Sequence, residues 1–166
     1  IIKYGLKVRF HTPNAVHIRE ISKQTARLMF QAGFKTVRLG LETTAFNIRN
    51  ELDVKVTAAE FEKAVTSLKE AGFEKELIGA YLLTGLPGQE LKSIEDSIKT
   101  VIQNQVIPIL AHYSPIPHTA LWSRAVSSPR YDLESDPIFT NNAIFPCQDE
   151  RFSWQTISHL NNLATG

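Results

Sequence analysis

Apolar and polar positions along this chain repeat with two different periods, and the period switches several times. Residues 6–12 alternate, Leu6, Val8 and Phe10 against Lys7, Arg9 and His11, which predicts a strand. Residues 18–31 carry Ile18, Ile21, Thr25, Leu28 and Met29 at helical spacing. A second strand follows at residues 35–41, then a polar loop over 43–56 with a short helical turn near 47–51. Thr57 with Glu60 three residues on is a capping-box signature, and Phe61, Ala64, Val65 and Leu68 continue it as a helix. Residues 77–83 read as a third strand, residues 91–103 as a helix with Ile94, Ile98, Val101 and Ile102 on one face, and residues 106–113 as a fourth strand.

One short pattern occurs twice. Ala32-Gly33-Phe34 closes the first helix and Ala71-Gly72-Phe73 the second, each followed by an apolar strand and a polar or glycine-rich loop. A glycine just past a periodic apolar run is a helix stop, because it takes the left-handed conformation without strain. Strands alternating with helices in this way imply an α/β fold of repeated βα units with a parallel sheet and right-handed crossovers. Four such units make an open parallel half-barrel. In these architectures the chemistry sits on loops after the strands, which directs attention to residues 12–14, 42–44, 85–89 and 113–119.

After Thr119 the pattern breaks. Residues 121–148 carry Pro129, Pro137 and Pro146 and read as an irregular crossing segment with one short helix at 121–126. Residues 154–163 read as a terminal helix capped by Ser153. No low-complexity linker intervenes, so residues 1–119 form the half-barrel and 120–166 an extension packed on it within one domain.

The 166 residues are 43% hydrophobic with a net charge of +1, which suits a folded domain and offers no electrostatic case for nucleic acid or an acidic membrane surface. No apolar run approaches transmembrane length. A single cysteine, Cys147, excludes an internal disulfide framework and any multi-cysteine metal site, and fits a reducing cytoplasm. The opening Ile1-Ile2-Lys3-Tyr4-Gly5 has neither an initiator Met nor a signal-peptide pattern, so the chain reads as a piece of a longer protein.

Strand parity puts Val37, Leu39 and Leu41 on one face and Arg38, Gly40 and Glu42 on the other. The aliphatic face packs under helices. A charged pair on the inner face is costly without a purpose, and Gly40 between them lowers the wall for a ligand; the alternative is an Arg38–Glu42 pair that satisfies itself. In Thr84-Gly85-Leu86-Pro87-Gly88-Gln89, Gly85 allows close approach of a ligand to the backbone and the turn feeds a helix amino-terminus, or it is a plain strand-to-helix turn. No Gly-Lys-Ser/Thr follows, so this is not a nucleotide P-loop. Tyr113 offers a ring face and a hydroxyl at the fourth strand's end. The five histidines show no metal-ligand spacing, no lysine is placed for Schiff-base chemistry, and Cys147 reads as a buried structural thiol.

Arg38-Leu39-Gly40-Leu41-Glu42, then residues 81–88, then Tyr113-Ser114-Pro115-Ile116-Pro117-His118-Thr119, resemble in order and spacing the later strands of a radical S-adenosylmethionine (SAM) barrel. The subgroup with an amino-terminal cobalamin-binding domain is the most similar, with a segment like Thr12-Pro13-Asn14 and a tail like residues 136–142. The resemblance implies a partial TIM barrel, of which this chain holds the third to sixth strands. It implies that Glu42 contacts the ribose or amino-acid part of SAM, with Arg38 and Gly40 beside it. Leu83 and Gly85 would meet adenine, Ala111, His112 and Tyr113 would line it, and Thr12 and Asn14 would face the substrate. The family's Cys-x3-Cys-x2-Cys loop, which binds the [4Fe–4S] cluster, is absent, and one cysteine cannot replace it. The parent would therefore generate the 5′-deoxyadenosyl radical and this piece alone would be inactive, self-associating through its open edge. Two other readings remain open: a non-catalytic half-barrel module for nucleotide binding or assembly, and a fragment of an ordinary TIM-barrel enzyme.

Overall fold

The structure is a computed structural model that describes residues 1–44, 56–127, 130–147 and 152–166. The helical turn expected near 47–51 lies outside the described residues.

Four strands, β1 (Phe10–His11), β2 (Phe34–Glu42), β3 (Ile78–Thr84) and β4 (Ile107–His112), pair in sequence order and all in parallel. Helices α1 (Lys23–Ala32), α2 (Ala58–Ala71) and α3 (Leu91–Gln103) make the crossovers, giving an open half-barrel of βα units. The outer face of the sheet is aliphatic. Val37, Leu39 and Leu41 of β2 and Ile78, Ala80 and Leu82 of β3 are buried with Phe61, Leu68, Ile94 and Ile98 from the helices. A short helix α4 (Trp122–Ser127) and a terminal helix α5 (Trp154–Thr165) follow. α5 packs on α3 and β4, and its Ile157 and Leu160 join the core.

Local chemistry explains where these elements start and stop. Thr57 and Glu60 form the reciprocal capping box of α2, and Gly33 and Gly72 end α1 and α2 in the left-handed region. Ser153 caps α5 as the sequence indicates.

Two expectations need correction. The helix expected over 18–31 is broken. A single 3-10 turn, Ile18–Glu20, comes first, and α1 starts only after Ser22, whose hydroxyl accepts from the Thr25 amide at 3.0 Å. A serine can cap a helix as well as sit within one, and here capping wins. The strand expected over 6–12 is paired only at Phe10–His11, where its register on β2 shifts. Leu6 and Val8 are left exposed.

Candidate functional site at the carboxyl ends of the strands

Parallel pairing brings the carboxyl ends of β2, β3 and β4 side by side, and each leaves the sheet through a constrained turn. At the end of β2 the Thr43 amide donates to the Leu41 carbonyl at 2.8 Å, closing a γ-turn centred on Glu42, whose φ is 65°. A residue with a side chain is strained there, and such strain concentrates at functional positions. The next residue is tied down from the helix layer. The amide and hydroxyl of Thr44 both donate to the Ser97 hydroxyl of α3 at 3.1 Å, and Ser97 donates onward to the Ser93 carbonyl at 2.9 Å.

At the end of β3, Gly85 has a φ of 87°, and residues 86–89 form a turn closed by the Gln89 amide on the Leu86 carbonyl at 3.0 Å. Pro87 second and Gly88 third, with φ 72°, are the residues a type II turn requires. The Gln89 side chain then reaches back. Its Nε2 donates to the Leu83 carbonyl at 2.9 Å and its Oε1 accepts from the Leu86 amide at 3.1 Å. From α4, Arg124 donates to the Pro87 carbonyl at 3.4 Å. At the end of β4 the Tyr113 amide extends the ladder by donating to the Thr84 carbonyl at 2.8 Å.

Between these three exits lies a cleft of about 300 Å³. Glu42 and Thr43 form one wall, Leu83 and Leu86 the second, Tyr113 the third, and the segment from Ser114 to Leu121 contributes the rim. The lining is mainly apolar, with the Glu42 carboxylate as its charged group. Its volume is at the lower limit for sites that enclose a drug-sized ligand, so it suits one part of a larger ligand. The Tyr113 hydroxyl is buried with no hydrogen-bond partner among the described residues, and burial raises its pKa, with Cys147 adding a smaller effect.

Three expected site residues, Glu42, Leu83 and Tyr113, are thus brought together, and Gly85 sits between the two leucines that line the cleft. The others are placed elsewhere. Arg38 runs towards the amino end of β3, lies over Gly79, and makes long 3.5 Å contacts to the carbonyls of Val37 and Leu77; it forms no pair with Glu42. Gly40 does not open space for a ligand. A Cβ there would stand 3.1 Å from the Cβ of Ala15, so the glycine accommodates the chain's own segment. That segment is a bulge. The Thr12 hydroxyl accepts from the Arg38 amide at 2.8 Å, residues 13–15 leave the ladder, and Val16 rejoins it opposite Leu39. The Tyr81 hydroxyl of β3 holds the bulge by donating to the Pro13 carbonyl at 2.8 Å. Thr12 is therefore a ladder residue, and Asn14 is exposed on the bulge. His112 points away from the cleft, to the helix side. Its Nδ1 pairs with the Thr84 hydroxyl at 2.7 Å, its ring meets Phe145 edge-on at 4.8 Å, and burial lowers its pKa.

Sequence reasoning missed Ser97, and it gave no role to Gln89 and Tyr81, although both lie in segments it singled out. Ser97 had a visible signal: it is a polar residue inside the Ile94, Ile98, Val101 stripe, where a hydroxyl needs a partner. Tyr81 lies on the same strand face as Leu83 and could have been found by parity. Nothing in the sequence marks the reach of Gln89.

Burial pushes the Cys147 thiol up to about 11, among Ala125 and Leu133. Among the described residues no group of three or more His, Cys, Asp or Glu could hold a metal ion, and no helix is long and apolar enough to cross a membrane.

No protein-family model matches the chain, and a search of curated sequences returns no match. Solved structures do match by fold. TsrM from Kitasatospora setae, a radical S-adenosylmethionine methyltransferase with cobalamin and a [4Fe–4S] cluster bound, aligns with a TM-score of 0.64 at 14% identity, covering 94% of this chain and 36% of that one. HemN from Escherichia coli, a coproporphyrinogen III oxidase described as a radical SAM enzyme, gives 0.59 at 16% identity, covering 95% and 32%. An archaeal Elp3 from Methanocaldococcus infernus gives 0.53 at 18% identity, covering 69% and 26%. The chain thus has a fold like part of the radical SAM barrel, and it spans about a quarter to a third of the length of these structures.

Proposed function

We propose that this chain is the carboxyl-terminal part of a radical SAM enzyme barrel, and that its cleft forms one wall of the parent's SAM site. The observation that carries this reading is the convergence of Glu42, Leu83 and Tyr113 on one cleft at the carboxyl ends of adjacent parallel strands. The fold likeness supports it, since the TsrM and HemN structures are radical SAM enzymes.

The residues fit the cofactor in kind. Leu83, Leu86 and the Tyr113 ring offer apolar surfaces to a purine. Glu42 offers a carboxylate for ribose hydroxyls or an ammonium group. When bound together, SAM and a [4Fe–4S] cluster supply one-electron reductive cleavage of the sulfonium. This chain's residues contribute binding, orientation and exclusion of water. They do not fit the cluster itself: Cys147 is the one cysteine, buried, and protonated at neutral pH by its raised pKa. The cluster's thiolates belong in our reading to the preceding part of the parent, and the chain alone is inactive. Cobalamin use by the parent is supported only by the likeness to TsrM.

The test is in the parent. An in-frame Cys-x3-Cys-x2-Cys upstream of Ile1 supports the reading, and an upstream sequence without one overturns it. Glu42→Ala in the parent should weaken SAM binding about tenfold or more, the loss of one or two charge-assisted hydrogen bonds. Unchanged SAM affinity would point instead to an ordinary TIM-barrel fragment or an assembly module.

A further inference from the structure

We infer that Gln89 is the positioning residue of the cleft, setting the placement of its Leu83 and Leu86 wall. Gln89 is outside the lining of the cleft and touches no ligand-facing surface of its own. Its carboxamide nevertheless makes two hydrogen bonds, and both go to the backbone of lining residues: Nε2 donates to the Leu83 carbonyl at 2.9 Å and Oε1 accepts from the Leu86 amide at 3.1 Å. A third bond, from its own amide to the Leu86 carbonyl at 3.0 Å, closes the turn beneath.

The intervening chain contains one pivot. Between the two leucines stand Thr84, which is bonded to His112 on the opposite face, and Gly85, whose φ of 87° is one of many open to glycine. Leu83 and Leu86 lie on either side of that pivot. The planar carboxamide offers one donor and one acceptor at fixed separation, so it fixes Leu83 and Leu86 relative to each other across the glycine. Arg124 on the Pro87 carbonyl holds the outside of the same turn at 3.4 Å. The inference rests on the SAM reading only for the identity of the ligand. That Gln89 sets the cleft wall is a statement about the fold and can be tested without it.

Gln89→Glu makes the role readable. The introduced carboxylate still accepts from the Leu86 amide but sets an oxygen against the Leu83 carbonyl. The protonated acid restores the donor. The neutral form is therefore favoured in the folded state, and the introduced group should titrate above the usual Glu value of about 4.3. Its native geometry is present at low pH and is lost as pH rises through the raised pKa.

The experiment is a methyl and amide NMR titration of the full chain in wild type, Gln89→Ala and Gln89→Glu, followed by addition of S-adenosylhomocysteine. In Gln89→Ala the Leu83 and Leu86 methyl signals should move and their contacts to Tyr113 weaken. In Gln89→Glu the same signals should return to wild-type positions on acidification, while wild type shows no such transition. Where wild type binds S-adenosylhomocysteine, the Ala variant should bind it more weakly, because the ligand must then order the leucine wall that Gln89 no longer holds. Leucine signals unmoved in both variants would overturn the inference, as would measurable and equal ligand affinity in wild type and Gln89→Ala. If the leucines follow the introduced carboxyl but wild type binds no S-adenosylhomocysteine, in this chain or in the parent, the positioning role stands and the SAM reading falls.

Discussion

Glu42 carries the sharpest energetic prediction, because its backbone and its side chain can be varied separately. At φ 65° a residue with a Cβ is about 1–2 kcal/mol less stable than in the ordinary regions. Glycine escapes that cost but loses more freedom on folding, roughly 0.5–1 kcal/mol relative to alanine. Glu42→Ala and Glu42→Gly both delete the carboxylate and its contacts, so their difference isolates the backbone. Glu42→Gly should be the more stable of the two by about 0.5–1 kcal/mol. For a domain of this size that is roughly 1–4 °C in Tm, within reach of calorimetry and of paired urea titrations with equal m-values. Under the proposed function both variants also lose the carboxylate offered to the cofactor, so the more stable protein should gain no affinity. If Glu42→Ala equals or exceeds Glu42→Gly in stability, the γ-turn is not strained and the strain argument for Glu42 falls.

Three further outcomes follow from the same geometry. Cys147 is buried with its pKa raised to about 11, so iodoacetamide at pH 8 should leave the native chain unlabelled and modify it only on unfolding; native labelling at the rate of a free thiol would refute its burial. His112 has its pKa lowered by burial, so on acidification the unfolded chain takes up a proton before the folded one does. Stability is then full above about pH 6.5 and falls as pH drops below it; His112→Gln should remove that part of the slope, and identical pH profiles would refute the assignment. β1 is an open edge flanked by exposed Leu6 and Val8, so light scattering should show mass rising with concentration, reduced by Val8→Lys; a monodisperse monomer at high concentration would refute self-association.

Much of this fold was legible because several signals agreed at the same residues. Thr57 and Glu60 gave the start of α2, Gly72 its end, and Phe61, Ala64, Val65 and Leu68 its buried face, and all hold in the structure. The alternation of Val37, Leu39 and Leu41 correctly named the outer face of β2. Failures came where one residue type serves two purposes. Ser22 could lie within a helix or cap one, and only the packing of Ile18 and Ile21 into the core decides for the cap. The same limit applies to the site. Parity placed Arg38 and Glu42 on one face, about 13 Å apart along the strand, but it could not show that the Arg38 side chain turns to the amino end while Glu42 stands at the carboxyl end.

Gly40 shows why the cleft is confined to the strand ends. An inward-facing glycine reads as space left for a ligand, yet Ala15 fills it. At the level below, Ile109 and Arg38 close over Gly79, where an added Cβ would come within 2.6 Å of the Ile109 Cδ1. Between these levels Tyr81 spans from β3 to the Pro13 carbonyl and pins the bulge across the sheet. The inner face is therefore filled by its own side chains up to Gly40, as barrel interiors are, and space remains beyond it, beside Glu42, Leu83 and Tyr113. A ligand there meets turns instead of strand middles. Its contacts depend on how each turn is held: the γ-turn at Glu42 backed by Ser97, and the leucine pair held by Gln89. Tyr81→Phe offers a check on that order of construction. It should loosen the bulge and raise amide exchange at Val16 and Gly40 about tenfold, the worth of one hydrogen bond, while leaving the Leu83 and Leu86 signals in place. Movement of those leucines in Tyr81→Phe would mean that the cleft is propped from below by the bulge, and that its turns do not set its shape.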